Sequence, residues 1–146
     1  MSNLIYTRLT QTNDEDIAQI STVYDLPEIA QYIAIGEQYF CYVTGNENVY
    51  FYKIFSDDNL MGTVHLEKQE DTLYLSVVVF PQYQNAGYGT KILADVQKDA
   101  FGLGYKIIEV SIDEINLASI RLFEKAGFVF VSQDDELRNY VWKKGK

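Results

Sequence analysis

The stretch between Val77 and Thr90 constrains the fold of this chain more than any other part of its sequence. Its valines form an apolar run typical of a buried strand, Pro81 ends that run, and Gly87 and Gly89 stand in the loop that follows. Glycine has no Cβ, so the main-chain N–H groups of such a loop can come close to a ligand. A helical pattern begins directly after the loop, and helix N-termini favour anions. The stretch therefore predicts a strand, an anion-binding loop suited to a diphosphate, and a helix.

Two other phosphate-binding loops do not fit this stretch. A dinucleotide-binding fingerprint needs a third glycine where the chain has Ile92, and a P-loop needs Gly-Lys-Ser/Thr where the chain reads Gly89-Thr90-Lys91. The residues of this stretch are also compatible with a plain strand-to-helix turn, in which the glycines serve geometry alone.

Two helix starts and several strand patterns precede this stretch. Carboxylates at 14–16 suit the positive end of a helix dipole, and Pro27 suits the first position of a second helix. Runs rich in β-branched and aromatic residues predict strands over residues 4–9, 49–55, 60–68 and 72–80. We expect the last three of these strands to form an antiparallel meander.

Beyond the loop the hydrophobic period changes to that of a helix. Apolar residues predict a helix over 90–101, ended by Gly102, and a shorter helix between Asn116 and Gly127. Further strands are predicted at 106–112, 128–132 and 137–142. This order of strands and helices indicates the α+β class, with helices packed on a sheet. The length of 146 residues suits one domain over the whole chain, 1–146.

Read as a whole, the stretch resembles the acetyl-CoA signature of the GNAT family of N-acetyltransferases. That signature is Gln/Arg-x-x-Gly-x-Gly/Ala after a strand ending in Val-x-Pro, and the matching residues here are Val79, Pro81, Gln84, Gly87 and Gly89. A second family signature, Asn-x-x-Ala/Ser-x-x-Leu-Tyr-x-Lys-x-Gly-Phe, is similar to the residues at 116–128. The two signatures stand in the family's order, and through them the chain is identified as a member of this family.

The resemblance implies a mixed, mostly antiparallel sheet flanked by helices, in which the strand over 73–79 splays from a parallel neighbour over 106–112. The pantetheine arm of acetyl-CoA would lie in that gap, and main-chain amides of the loop would hold its pyrophosphate. A backbone N–H near Val77 or Val78 would polarise the thioester carbonyl. The residues that the resemblance assigns to the cofactor are Val77, Val78, Val79, Gln84, Asn85, Ala86, Gly87, Tyr88, Gly89, Thr90, Asn116, Ser119 and Phe123.

The resemblance also implies the reaction, a direct transfer of acetyl from acetyl-CoA to a primary amine of a small molecule or peptide. The chain departs from the family at Phe123, where many members carry a tyrosine that protonates the departing CoA thiolate. It also lacks a carboxylate base at the family's usual positions. His65 and Glu67, which share one face of a strand, are the substitutes, with Ser119 as a further catalytic candidate. Each of these three residues also has an ordinary structural interpretation. The alternative function is therefore a non-catalytic regulatory module that binds CoA or acyl-CoA.

Charge and composition exclude other classes of function. Lys and Arg number 12 against 21 for Asp and Glu, and the resulting net charge of −9 argues against a nucleic-acid ligand. This charge has to be reversed locally near the cofactor, and Lys91, Arg121 and Lys125 are the candidates. The lone Cys41 excludes an internal disulfide and a cysteine metal cluster, and no signal peptide or membrane span is visible. We therefore expect a cytoplasmic protein without a metal or a membrane partner, and the resemblance allows a homodimer.

Overall fold

The computed structural model describes residues 3–33 and 35–145, which form a seven-stranded sheet and five α-helices. The strands are β1 Leu4–Arg8, β2 Val49–Ser56, β3 Asn59–Gln69, β4 Thr72–Val79, β5 Ile107–Asp113, β6 Val129–Asp134 and β7 Leu137–Lys143. The helices are α1 Ile17–Tyr24, α2 Pro27–Ala30, α3 Tyr39–Gly45, α4 Tyr88–Gln97 and α5 Leu117–Lys125. A short 3-10 helix at Pro81–Tyr83 follows β4. Among the described helices, none has the length and apolar character needed to cross a lipid bilayer.

The sheet is mixed, with the strand order β1-β2-β3-β4-β5-β7-β6. β7 pairs antiparallel with both β5 and β6, and β1 pairs antiparallel with β2, whereas β4 and β5 pair in parallel. Tight turns connect β2 to β3 and β3 to β4, where Asp57, Asp58 and Glu70 have left-handed backbones with φ of 50°, 67° and 55°. The predicted α+β class, with a mixed sheet and one parallel pair, is confirmed.

The helices before β2 were predicted only in part. α1 begins after the acidic run and α2 begins at Pro27, both as predicted. Sequence patterns do not predict α3, because its residues are mostly aromatic or β-branched, which are weak helix formers. Tertiary packing stabilises it instead, since Val43 is buried in an apolar cluster with Tyr39 and Phe40 packed against it.

The prediction for the helix after the loop is wrong at both ends, because α4 begins at Tyr88 and ends at Gln97 rather than spanning 90–101. Asp99 explains the early end. Its backbone is left-handed, with φ of 55°, and its carboxylate accepts the N–H groups of Leu103 and Gly104 at 2.8 and 2.9 Å. These hydrogen bonds replace the next helical turn.

Close contacts group the chain into two compact units, which we describe separately. The first comprises Met1–Leu66 and Val77–Tyr83, and the second comprises Glu67–Ser76 and Gln84–Lys146. In the first unit Ile20, Phe51 and Phe80 are fully buried in one apolar cluster. In the second unit Ile92 of α4 and Ile108 of β5 are fully buried. Burying one such side chain contributes about 1.5–3 kcal/mol, so each unit has a core of its own.

Candidate functional site

Two residues of the loop between β4 and α4 have left-handed backbones. They are Asn85, with φ of 62°, and Gly87, with φ of 86°, and they flank Ala86. All three are exposed. Successive main-chain N–H groups that alternate between left-handed and right-handed conformations form a concave site for an anion. The backbone of this loop therefore suits a phosphate group.

The N-terminus of α4 continues this arrangement. Its N-cap is Gly87, which has no side chain to cap the helix, and the first helical hydrogen bond runs from Lys91 N–H to Gly87 O at 3.2 Å. The first turn consists of Tyr88, Gly89 and Thr90, and N–H groups of a first turn have no acceptor within their own helix. A helix of ten residues adds its dipole, which favours negative charge at this end.

Gly89 also has a role in packing. A Cβ at this position would lie 3.0 Å from Leu122 Cδ2, so the glycine lets the start of α4 approach α5 closely. Glycine is favoured at position 87 by the positive φ and at position 89 by the close approach of α4 to α5. Both glycines thus have a geometric reason in addition to any contact with a ligand.

β4 and β5 pair only at their beginnings. The parallel register joins residues 72–74 to residues 107–109. β4 continues to Val79 and β5 to Asp113, and within the described chain no further register joins these two strands. On its other edge β5 pairs with β7 along its whole length. The two parallel strands thus pair through the first three residues of each strand.

Gly62 of β3 lies unusually close to the backbone of β4. A Cβ on Gly62 would be 2.5 Å from Val78 O, and nearby Phe80 N–H donates to Met61 O at 2.8 Å. An L side chain at position 62 therefore requires the β4 backbone to move at Val78. Sequence analysis did not single out Gly62. A glycine inside a strand, which often marks the close approach of another backbone, is the signal that identifies it.

Asn116 is the N-cap of α5. Its Oδ1 accepts the N–H of Ser119 at 3.3 Å, and both residues are half-buried. This hydrogen bond satisfies one of the first-turn donors and stabilises the helix by about 1 kcal/mol. The structure therefore gives Asn116 a capping role that needs no ligand.

Phe123 is buried, with 5% of its surface exposed. Its ring packs edge to face on Phe128, with 5.0 Å between the ring centroids and 87° between the planes. Such a pair contributes about 0.5–1.5 kcal/mol beyond the area that it buries. Packing alone accounts for a phenylalanine at this position.

The three cations proposed to offset the negative charge differ in their surroundings. Lys91 Nζ lies 2.9 Å from Asp95 Oδ1, and Asp95 is buried and also 3.4 Å from Lys98 Nζ. Arg121 and Lys125 are exposed on α5. Lys91 is thus part of an ion pair on its own helix.

His65 lies on β3 in the first unit, which also contains Val77–Val79. Its Nδ1 is hydrogen-bonded to the hydroxyl of Tyr39 at 2.8 Å. The rings of Tyr39 and Phe51 lie 5.7 and 6.3 Å from the imidazole, measured between centroids. His65 is thus half-buried among aromatic rings, with one ring nitrogen held by a phenol.

The other two catalytic candidates belong to the second unit. The carboxylate of Glu67 accepts the side-chain amide of Gln69 at 3.3 Å, and Ser119 stands in the first turn of α5. His65 and Glu67 stand two positions apart on β3, as the sequence analysis assumed, but they belong to different compact units. Sequence reasoning missed the contact between Tyr39 and His65, because the helix of Tyr39 was not predicted and the contact spans 26 positions.

The ring of Tyr39 also lies near Tyr24, which belongs to a buried hydroxyl pair. The hydroxyl of Tyr24 lies 2.6 Å from Thr63 Oγ1, and the ring centroids of Tyr24 and Tyr39 are 6.4 Å apart. Burial raises the pKa of Tyr24 to about 12, although the neighbouring hydroxyls of Thr63 and Tyr39 act to lower it. Tyr24 therefore remains a neutral hydroxyl throughout the physiological range.

Comparison with known proteins gives a family match over most of the chain. The model of the Acetyltransferase (GNAT) family matches residues 12–128. One curated relative, the SPbeta prophage-derived uncharacterized N-acetyltransferase YokL of Bacillus subtilis (strain 168), is 28% identical over 99 residues. That match covers 65% of this chain and 54% of YokL, so the chain spans about half the length of this relative.

Solved structures of low sequence identity share the fold. N-acetyltransferase PseH of Campylobacter jejuni, in complex with acetyl coenzyme A, has a TM-score of 0.79 and 14% identity, covering 98% of this chain and 100% of that one. Spermidine N-acetyltransferase of Vibrio cholerae, in complex with CoA and spermine, has a TM-score of 0.82 and 14% identity, covering 98% and 96% of the two chains. At such identities the likeness is one of fold.

Proposed function

The chain belongs to the GNAT family of acetyltransferases, and we propose that it transfers acetyl from acetyl-CoA to a primary amine of a small molecule or peptide. The amine attacks the thioester directly, without a covalent enzyme intermediate, and the single domain 1–146 carries the reaction. The observation that supports this most strongly is the loop before α4. There the left-handed residues Asn85 and Gly87 lead into a helix N-terminus that no side chain caps.

In this proposal main-chain groups make most of the contacts with acetyl-CoA. The loop residues 84–90 bind the pyrophosphate, and the backbone of Val77–Val79 pairs with the pantetheine arm. Asn116, Ser119 and Phe123 contact the thioester end. The left-handed backbones of Asn85 and Gly87 support the first of these assignments.

The transfer needs a hydrogen-bond donor for the oxyanion, a base for the amine, and a means for the CoA thiolate to leave. A backbone N–H near Val77 or Val78 stabilises the oxyanion. His65 takes the amine proton, with Glu67 and Ser119 as the other candidates for proton transfer. Without a tyrosine at position 123 the thiolate leaves unprotonated, and for a thiol of pKa near 8.5 this costs about 2 kcal/mol at neutral pH. The reaction is slowed rather than prevented.

The expected partners follow from charge and from the neighbours. The V. cholerae neighbour binds spermine, and a net charge of −9 on this chain favours a cationic amine as acceptor. We place the reaction in the cytoplasm and expect no metal, nucleic acid or membrane to take part. A homodimer is the assembly that we would look for first.

Thermal unfolding with and without acetyl-CoA tests the cofactor, with NAD and ATP as controls. Ligand at about 100 times its dissociation constant adds roughly 2.7 kcal/mol, which raises the Tm of a domain of this size by several degrees. A panel of amines and peptides is then tested for release of CoA thiol. No shift at millimolar acetyl-CoA would contradict the proposal.

A regulatory module that binds acetyl-CoA without turnover is the second candidate, because Phe123 lacks the hydroxyl that would protonate the thiolate. Phe123→Tyr distinguishes the two. A rise in turnover, within the roughly 10²–10⁴-fold that a positioned acid contributes, supports a slow enzyme. Phe128→Tyr is the matched control, since it adds a hydroxyl to the partner of the same ring pair. Binding without turnover in the wild type and in Phe123→Tyr would support the regulatory module.

A further inference from the structure

His65 shares a hydrogen bond with Tyr39, and both residues belong to the first unit. Its Nδ1 lies 2.8 Å from Tyr39 Oη, and two separate elements, β3 and α3, supply the pair. A second hydroxyl pair of the same unit, Tyr24 Oη and Thr63 Oγ1 at 2.6 Å, is buried, with Tyr24 4% and Thr63 1% exposed.

The direction of this hydrogen bond decides which nitrogen of His65 carries a proton. If Nδ1–H donates to Tyr39 Oη, Nε2 is left as an acceptor. If the Tyr39 hydroxyl donates instead, Nδ1 accepts and Nε2 carries the proton. A neutral imidazole has one donor and one acceptor nitrogen, so the partner of one nitrogen determines the role of the other.

Only the first direction is compatible with a base. Once Nε2 has taken up a proton, both ring nitrogens are donors, and Nδ1–H needs an acceptor. A Tyr39 oxygen that already accepts Nδ1–H provides this acceptor without any rearrangement. The opposite direction would require the Tyr39 hydroxyl to reverse at the moment of proton transfer.

We propose that Tyr39 is a positioning residue for His65, which accepts Nδ1–H and thereby keeps Nε2 unprotonated as the base of the reaction. This inference rests on the proposed function. Nε2 takes one proton from the ammonium of the acceptor, giving a neutral amine and an imidazolium. The amine nitrogen then forms a bond to the thioester carbon, the carbon–sulfur bond breaks, and the thiolate takes the second amine proton. Acetylated amine, CoA thiol and the protonated base are the products.

The proton positions can be measured without cofactor or acceptor. His65 is the only histidine of the chain, so the ring nitrogens in a long-range ¹H–¹⁵N spectrum of the uniformly labelled protein belong to one residue. At about pH 9 an ordinary imidazole is neutral. We expect Nδ1 protonated and Nε2 unprotonated in the wild type. An Nε2–H tautomer in the wild type would overturn the proposal whatever the activity.

Tyr39→Phe removes the hydroxyl and keeps the ring, which packs on Phe40 and Phe51 with centroid distances of 5.2 and 6.0 Å. We expect the tautomer to change to Nε2–H and kcat to fall about tenfold or more, within the range that a positioned base contributes. The KM for acetyl-CoA stays the same. Tyr50→Phe is the matched control, because Tyr50 precedes Phe51 on β2 and its side chain therefore points to the opposite face of the sheet.

The tautomer of the wild-type protein decides the matter if Tyr39→Phe does not fold. A wild-type tautomer and an unchanged kcat in Tyr39→Phe would refute the positioning role while leaving the proposed function intact. Absence of any acetyl transfer by the wild type would instead remove the proposed function, and the base role with it.

Discussion

Replacing Gly62 with alanine tests how closely β3 and β4 fit together at Val78. An added Cβ would lie 2.5 Å from Val78 O and 3.4 Å from Val79 Cα. To reach an ordinary van der Waals contact, the carbonyl oxygen would have to move by about 0.9 Å. Because the obstacle is backbone rather than the end of a flexible side chain, part of the strand has to move with it.

The expected loss of stability follows from two opposing effects. Overpacking of this kind costs about 1–3 kcal/mol. Removing the freedom of a glycine from the unfolded chain returns about 0.4–1 kcal/mol. We therefore expect Gly62→Ala to lower the free energy of unfolding by about 1–2 kcal/mol, and the Tm by roughly 3–8 °C.

Gly45→Ala is the matched control, because a Cβ on Gly45 has no atom within 4 Å other than those of its neighbouring residues and its own helix. Its Tm should stay the same or rise slightly. The assay is thermal unfolding of both variants, without and with acetyl-CoA. If Val78 contacts the cofactor, the displaced strand also weakens acetyl-CoA binding, so acetyl-CoA raises the Tm of Gly62→Ala by less than it raises the Tm of the wild type. A Tm of Gly62→Ala equal to or above that of the wild type would refute this reasoning.

Two further predictions concern the ends of α4. Gly87→Ala should weaken acetyl-CoA binding and lower the free energy of unfolding by about 1 kcal/mol, because φ of 86° is unfavourable for alanine. Gly87→Asn should lose less stability, since asparagine adopts the left-handed conformation more readily. Equal losses of stability in the two variants would contradict this explanation. Burial raises the pKa of Asp99, but the N–H groups of Gly104 and Leu103, followed by Lys144, outweigh it and lower that pKa below 3.8. Its stabilising effect is therefore complete above pH 3.8 and is lost as the pH falls through the lowered value. In urea unfolding, the free energy of unfolding of Asp99→Asn should be about 1–2 kcal/mol lower than that of the wild type at pH 7. This difference between the two proteins should narrow below pH 3.8. A difference that does not change with pH would contradict the stabilising role of the Asp99 carboxylate.

The parts of the fold that the sequence predicts are those determined by neighbouring residues. Asn116 caps α5 through an amide three positions away, and Gly127, with φ of 94°, follows the end of the same helix. The loop after β4 is likewise built from a few successive residues. For these elements the residue types and their spacing along the chain determine the local structure.

The end of α4 and the whole of α3 were missed for the opposite reason. α4 ends early because the carboxylate of Asp99 accepts two N–H groups beyond the helix. The apolar pattern over 90–101 gives no sign of these hydrogen bonds. α3 has little helix propensity of its own, and its residues are held by the cluster into which Val43 packs. Propensity is a weak guide where tertiary contacts determine the conformation.

The same distinction separates the two halves of the proposed reaction. Cofactor binding relies on main-chain groups of one continuous segment, so a local signature is sufficient to identify it. The proposed base depends on residues at 39 and 65, which come together only when α3 packs near β3. No spacing along the chain relates them, and the helix that carries Tyr39 is the one that propensity fails to predict. A relative that retains the acetyl-CoA signature can therefore have lost this hydrogen bond, and the residues at these two positions are the ones to compare when asking which relatives use a histidine base.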